Sequence, residues 1–198
     1  MNETYQQKPA QPGQFRPSLA LYHASSKGTG GAIKMSLHPA HDDTDGSIML
    51  TVANQLTVGD CRGPNPTYQK FDWEGSITVK LDFNDLTKML QVFRGETESL
   101  EDGKGLFHVT AQFSTGICLR HIVDPTPCYS LELYRTTRDG KGESRARFLM
   151  FPNEALGVSL AIENSFGVIS FGIPMLVPHD TSKYRRESRG FRNATAAA

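Results

Sequence analysis

The chain runs twice through one plan: a group of alternating strand-like segments, then a short helix. The first group leads up to Phe83 and into an amphipathic segment at Asn84–Arg94. The second runs from Leu106 to Phe151 and into a helical segment at Pro152–Phe166. A duplicated four-strands-then-helix order restricts the chain to an α+β fold. It points to a sheet surface used for binding rather than to a cleft built for catalysis.

Period-two alternation marks the strands. Ser18–His23 opens the folded part, and the glycine-dense Lys27–Gly31 reads as a loop or tight turn. In Ala32–Leu37, Ile33, Met35 and Leu37 share one face, with Lys34 and Ser36 on the other. In Ser47–Ala53, Ile48, Leu50 and Val52 share a face. Ser76–Phe83 directs Ile77, Val79, Leu81 and Phe83 inward and Lys80 outward. Asn84 is the expected N-cap of the first helix, whose stripe is Leu86, Met89, Leu90 and Phe93, and Gly95 ends it. In the second half, Leu106–Phe113, Ile117–Val123, Tyr129–Arg135 and Arg145–Phe151 are strand-like, with a hairpin turn at Asp139–Gly142. Pro152 is placed to start the second helix, which Gly157 and Gly167 weaken. The apolar run Val168–Val177 can extend that helix, form a strand or cover a subunit interface.

The 198 residues suit one domain, taken as 18–177, between an N-terminal arm at 1–17 and a basic tail at 178–198. With 21 Lys and Arg against 21 Asp and Glu there is no global pull on a polyanion, so such a partner needs local charge. Cys61, Cys118 and Cys128, an odd count with no metal-ligand spacing, read best as reduced thiols in a reducing compartment, with one disulfide pair as the alternative. With no apolar run long enough to cross a bilayer and no hydrophobic signal core, the expectation is a soluble intracellular protein without a membrane partner.

Catalytic patterns are poor. Gly28-Thr29-Gly30-Gly31 lacks the Lys-Ser/Thr of a phosphate loop, and no base is marked for Cys61. His38, His41, Asp42, Asp43 and Asp45 are the strongest enzymatic candidate, as ligands of a divalent metal. The stretch is too short for a calcium loop and lacks its terminal glutamate, so a solvated turn is the preferred reading. The expectation is therefore no enzyme, no metal and no cofactor.

Binding has broader support. Alternation places Lys34, Lys80, Arg120, Arg145 and Arg147 opposite the core-directed positions. Separated cations on a sheet can follow phosphates without reading sequence. Tyr22, Tyr68, Phe71, Trp73, Phe107 and Tyr134 are aromatic candidates on which unpaired bases could stack. The basic tail, with Lys183, Arg185, Arg186, Arg189 and Arg192 around Tyr184 and Phe191, either adds phosphate contacts, binds an acidic partner or solubilises.

Three segments carry a family resemblance. Lys27-Gly28-Thr29-Gly30-Gly31-Ala32-Ile33, after the Tyr22 strand, resembles the Lys-Gly-Lys-Ala-Ala-Leu signature of the Whirly single-stranded DNA-binding proteins. Phe71-Asp72-Trp73 is similar to that family's aromatic-Asp-Trp, and Leu106-Phe107-His108 to its Phe-Phe-His element. The resemblance implies two packed antiparallel four-stranded sheets and a two-helix kernel that drives tetramer assembly. It also implies single strands lying along the sheets, with roles in DNA replication, recombination, repair or transcription; related mitochondrial proteins bind guide RNA. Lys27 matches the first signature lysine, while Thr29 replaces the second; Trp73 matches a residue with either a binding or a structural role. The expected interface is Lys27, Lys34, Lys80, Arg120, Arg145, Arg147, Tyr22, Trp73 and Phe107. The expected partner is single-stranded DNA, with RNA or a structural or adaptor role as alternatives. The expected setting is the cytoplasm of a bacterial or phage-infected cell rather than an organelle.

Overall fold

A computed structural model describes residues 18–40, 44–60, 62 and 64–172. The arm 1–17, the tail 178–198, Cys61 and three of the five metal-ligand candidates (His41, Asp42, Asp43) lie outside the described residues.

The first sheet contains β1 (Ser18–His23), β2 (Gly31–His38), β3 (Ser47–Thr57), β4 (Lys70–Phe71) and β5 (Ile77–Leu81), all antiparallel. Two of these share one edge. β5 pairs with Ile48–Val52 of β3, and β4 pairs with Gln55 and Thr57 further along. The sheet is thus four strands wide, its fourth strand interrupted at Asp72–Ser76. There Asp72 Oδ1 accepts the Gly75 N–H at 2.9 Å, and Ser76 Oγ donates to the Trp73 carbonyl at 2.8 Å. The second sheet is a meander, β6 (Leu106–Val109), β7 (Phe113–Ile122), β8 (Cys128–Thr137) and β9 (Glu143–Met150). Helices α1 (Phe83–Phe93) and α2 (Pro152–Phe171) follow the two sheets.

One core joins all of this. Ile33, Leu50, Val52, Ile77 and Leu81 of the first sheet meet Ile117, Leu119, Leu131, Leu133 and Phe148 of the second, with Leu86 and Met89 of α1 and Val158 and Ile162 of α2. The sheets touch most closely where β9 crosses β2 and β3. A Cβ on Gly31 would lie 2.4 Å from the Arg147 carbonyl oxygen, so only glycine lets the strands approach there. Asn54 seals the same crossing, donating Nδ2 to the Arg145 carbonyl at 2.8 Å and accepting the Arg147 N–H at 3.3 Å.

Each half also grips the helix of the other. His23, ending β1, donates Nε2 to Glu154 Oε1 at 2.7 Å. His108, on β6, pairs Nε2 with Asp85 Oδ2 at 2.9 Å. Both carboxylates stand at the third position of their helices, where they accept the N–H of the capping residue, Asp82 at 3.2 Å and Phe151 at 2.9 Å. A first-strand histidine of each repeat thus holds the helix N-terminus of the other repeat.

Several boundaries differ from the sequence reading. The N-cap of α1 is Asp82, whose side chain accepts the Asp85 N–H at 2.9 Å, so Asn84 is already helical. Phe83 therefore begins the helix rather than ending a strand, and is half exposed against Phe166 of α2 instead of pointing inward. Leu106–Phe113 is two strands, because Thr110 Oγ1 accepts the Phe113 N–H at 3.0 Å and turns the chain. The second helix continues through Gly157 and Gly167 to Phe171, which settles the first part of the run after Phe166 as helix. No helix among the described residues is long and apolar enough to cross a membrane.

Candidate nucleic-acid interface

The inward faces of the two sheets are consumed by the core, which leaves two outer faces. Strand register decides what each displays. On the first sheet, Tyr22 lies opposite Ala32, and Ala32 opposite Ala53. The two alanines are small and buried, so rings close over them. The Tyr22 ring meets Phe71 at 5.5 Å and Trp73 at 6.2 Å, the latter edge to face. The interruption after β4 thus places Trp73 over the sheet. One residue pair along, Lys34 stands between Ala20 and Thr51, and Lys80 opposite Met49 completes the face. Lys34 and Lys80 are exposed and belong to none of the ion pairs among the described residues. The structure therefore brings Tyr22, Trp73, Lys34 and Lys80 together on one surface.

The second outer face carries Phe107, Gly116, Tyr134 and Arg145 in one row, Cys118, Glu132 and Arg147 in the next, and Arg120 beside Ser130 beyond. Gly116 is the row's key. A Cβ there would fall 2.0 Å from the Tyr134 ring, so the ring lies flat over bare backbone. Phe107 then meets that ring edge to face at 5.9 Å. The cations of this face are not equivalent. Arg145 is forked onto Glu132, its Nε donating to Oε1 at 2.7 Å. Arg147 donates Nε to Ser130 Oγ at 3.1 Å, while Arg120 is exposed and enters no ion pair among the described residues. Burial pushes the Cys118 thiol up from its ordinary value, against the pull of nearby Arg120, so at neutral pH it stays protonated.

Lys27 lies on neither face. It is exposed on the loop between β1 and β2, and that loop is held by one side chain the sequence reading passed over. Gln55, almost fully buried, accepts the N–H groups of Ser25 at 2.7 Å and Gly30 at 3.1 Å. It also donates to the carbonyls of Ser25 and Thr57, both at 3.0 Å. All four hydrogen-bonding positions of the amide are used, and the loop is anchored at both ends.

The outer faces turn away from one another across the core and meet at one cleft of about 700 Å³. Tyr22 enters it from the first face, Arg147 and Leu149 from the second, and Ser25 and Thr29 from the loop that carries Lys27. Among the described residues no three His, Cys, Asp or Glu side chains converge as metal ligands.

No family model and no curated protein matches the chain. Solved structures do. WHY1 from Arabidopsis thaliana superposes at a TM-score of 0.63 with 11% identity, over 94% of this chain and 97% of that one. The fold is Whirly-like. The plant transcriptional regulator PBF-2 gives a TM-score of 0.60 at 12% identity, covering 79% of this chain and 83% of its own. Trypanosoma MRP1/MRP2 gives 0.51 at 14%, covering 78% and 86%. Whirly-like topology at such identities means that backbone arrangement is shared while most side chains are not. The short segments read in the sequence now have places in it. Lys27 is on the β1–β2 loop, Trp73 on the interrupted fourth strand and Phe107 on β6.

Proposed function

We propose that the protein is a non-enzymatic binder of single-stranded nucleic acid, preferring DNA, with little sequence preference. The observation that carries this reading is the first outer face, where the Tyr22–Phe71–Trp73 cluster sits next to Lys34 and Lys80. Rings accept the faces of unpaired bases, and a duplex hides those faces. Lysines beside them, in no ion pair among the described residues, neutralise phosphates without selecting sequence. Phe107 and Tyr134 with Arg120 and Arg147 offer the same pairing of ring and cation on the second face. Arg145 is the weak member, since Glu132 already satisfies its charge. The likeness to a plant transcriptional regulator of this fold agrees with a role on nucleic acid.

Self-association belongs to the same reading. α2 buries Ala155, Val158, Ile162, Ser165 and Ile169, yet Leu156, Leu160 and Phe171 are largely exposed on other sides. An apolar groove of about 370 Å³, lined by Leu19, Leu37, Ile48 and Ala161, runs beside the helix. A second copy laid on α2 would remove this surface from water, and a tetramer would carry four times the binding faces of one chain.

Anisotropy titration of a labelled single-stranded DNA oligomer, with matched duplex and RNA, tests the function. Single strands bind at least tenfold better than duplex, and affinity falls steeply between low and moderate salt. Equal affinity for duplex, or affinity indifferent to salt, refutes the mechanism. RNA binding tighter than DNA would move the assignment to the RNA reading.

A further inference from the structure

The cleft between the two outer faces has a composition unlike either face. Leu149 and Phe151 give it apolar side chains, both exposed, and Tyr22 adds a ring from the first sheet. Gly30 and Gly31 leave main chain open to it, and Met150 closes it from the core side. Polar groups are few: Arg147, the His23 ring, the Cys128 thiol and the hydroxyls of Ser25, Thr29 and Thr126. Its volume, about 700 Å³, is ample for one nucleotide. Apolar side chains with a few convergent polar groups and one cation match a unit that has one flat apolar part and one anionic part.

We infer that this cleft is a single-nucleotide subsite: a bound strand passing from one sheet face to the other turns one base into it. This rests on the nucleic-acid reading and deepens it. The base lies against Leu149, Phe151 and Tyr22, and its phosphate meets Arg147. Two features of the frame suit the site to holding a ligand. Gln55 anchors the loop that forms one wall at both ends, so the wall is preorganised. Phe151 is itself steadied, its ring 5.1 Å from His23, whose Nε2 is bonded to Glu154. A strand rather than a free nucleotide is the occupant because Tyr22 and Arg147 each belong to the cleft and to an outer face.

The test uses the full chain with two labelled strands of equal length, one of thymidine nucleotides and one of abasic sugar-phosphate units. Leu149→Ala removes an apolar side chain that the core does not use, and Thr126→Trp fills the cleft from an exposed turn. Each variant weakens binding of the thymidine strand by about tenfold, the scale of one lost stacking contact. Neither weakens the abasic strand by more than about twofold. Equal losses on both strands, or no loss on either, overturn the subsite while leaving strand binding intact. If the unaltered protein binds neither strand, it is the nucleic-acid reading that fails.

Discussion

Lys34 and Arg145 carry the same formal charge on outer sheet faces, and a phosphate would meet them differently. Lys34 lies between Ala20 and Thr51 and enters no ion pair among the described residues, whereas Arg145 must first let go of Glu132. The Glu132 pair holds the Arg145 guanidinium above its ordinary range, which marks a charge already spoken for. Salt dependence separates the two. Replacing Lys34 or Lys80 by alanine should lower the slope of log K against log salt by about 0.7 each on single strands. Arg145→Ala should change it by less than half of that. An Arg145 effect as large as that of Lys34 would show that Glu132 does not compete. Alternation in the sequence placed all of these cations outside the core correctly, but it carries no information on which has a carboxylate across the sheet. That partner lies on the neighbouring strand, 13 residues away.

Among the elements, the reciprocal histidine–carboxylate pairs are the least expected feature. Glu154 and Asp85 look like ordinary first-turn acids, favourable near the helix N-terminus and needing no other explanation. The structure adds His23 and His108 to them. Burial pushes the Asp85 carboxyl above its ordinary value, outweighing the Asp82 N–H and the His108 ring, which both favour its ionised form. A carboxyl with a raised folded pKa binds its proton more tightly in the folded than in the unfolded chain. Its contribution to stability is therefore greatest at low pH and is lost as pH rises through the folded pKa. Asp85→Asn keeps an acceptor for the Asp82 N–H and removes the titration. In urea unfolding across mildly acidic pH, the stability of the unaltered protein relative to Asp85→Asn should decline as pH increases. A relative stability that rises with pH would mean that the His108 pair, not burial, dominates the site. Misreadings at this scale share a cause: Asn84, Phe83 and Thr110 all fit the local pattern assigned to them. Each was displaced by a hydrogen bond of its neighbourhood, the Asp82 cap or the Thr110 turn.

For the molecule as a whole, α2 is the element whose exposure asks for a partner. It is largely apolar, yet the described residues bury one side of it, through Ala155, Val158, Ile162, Ser165 and Ile169. Burying a leucine fully is worth about 1.5–3 kcal/mol, so Leu156 and Leu160 together can drive association without new polar contacts. Light scattering should find an oligomer at micromolar concentration. Leu156→Glu with Leu160→Glu should give a monomer whose circular dichroism is unchanged, since neither side chain belongs to the core. A monomer before substitution would sink the assembly, and with it the expectation that one strand spans several copies.

The repeated plan, the inward face of nearly every strand and the outward cations were legible in the amino acids alone, because periodicities of two and 3.6 residues are local properties of the chain. The aromatic candidates were legible as types but not as a cluster. Tyr22, Phe71 and Trp73 become one surface only through the pairing of β1, β2, β3 and β4. Only the tertiary structure decided that Gln55 holds the Lys27 loop, that Gly116 makes room for Tyr134 and that a cleft joins the two faces. His23 and Glu154 stand 131 residues apart, and no local pattern encodes a contact at that distance. What decides it is which apolar faces close on one another, and every polar partnership then follows from where that closure leaves the side chains.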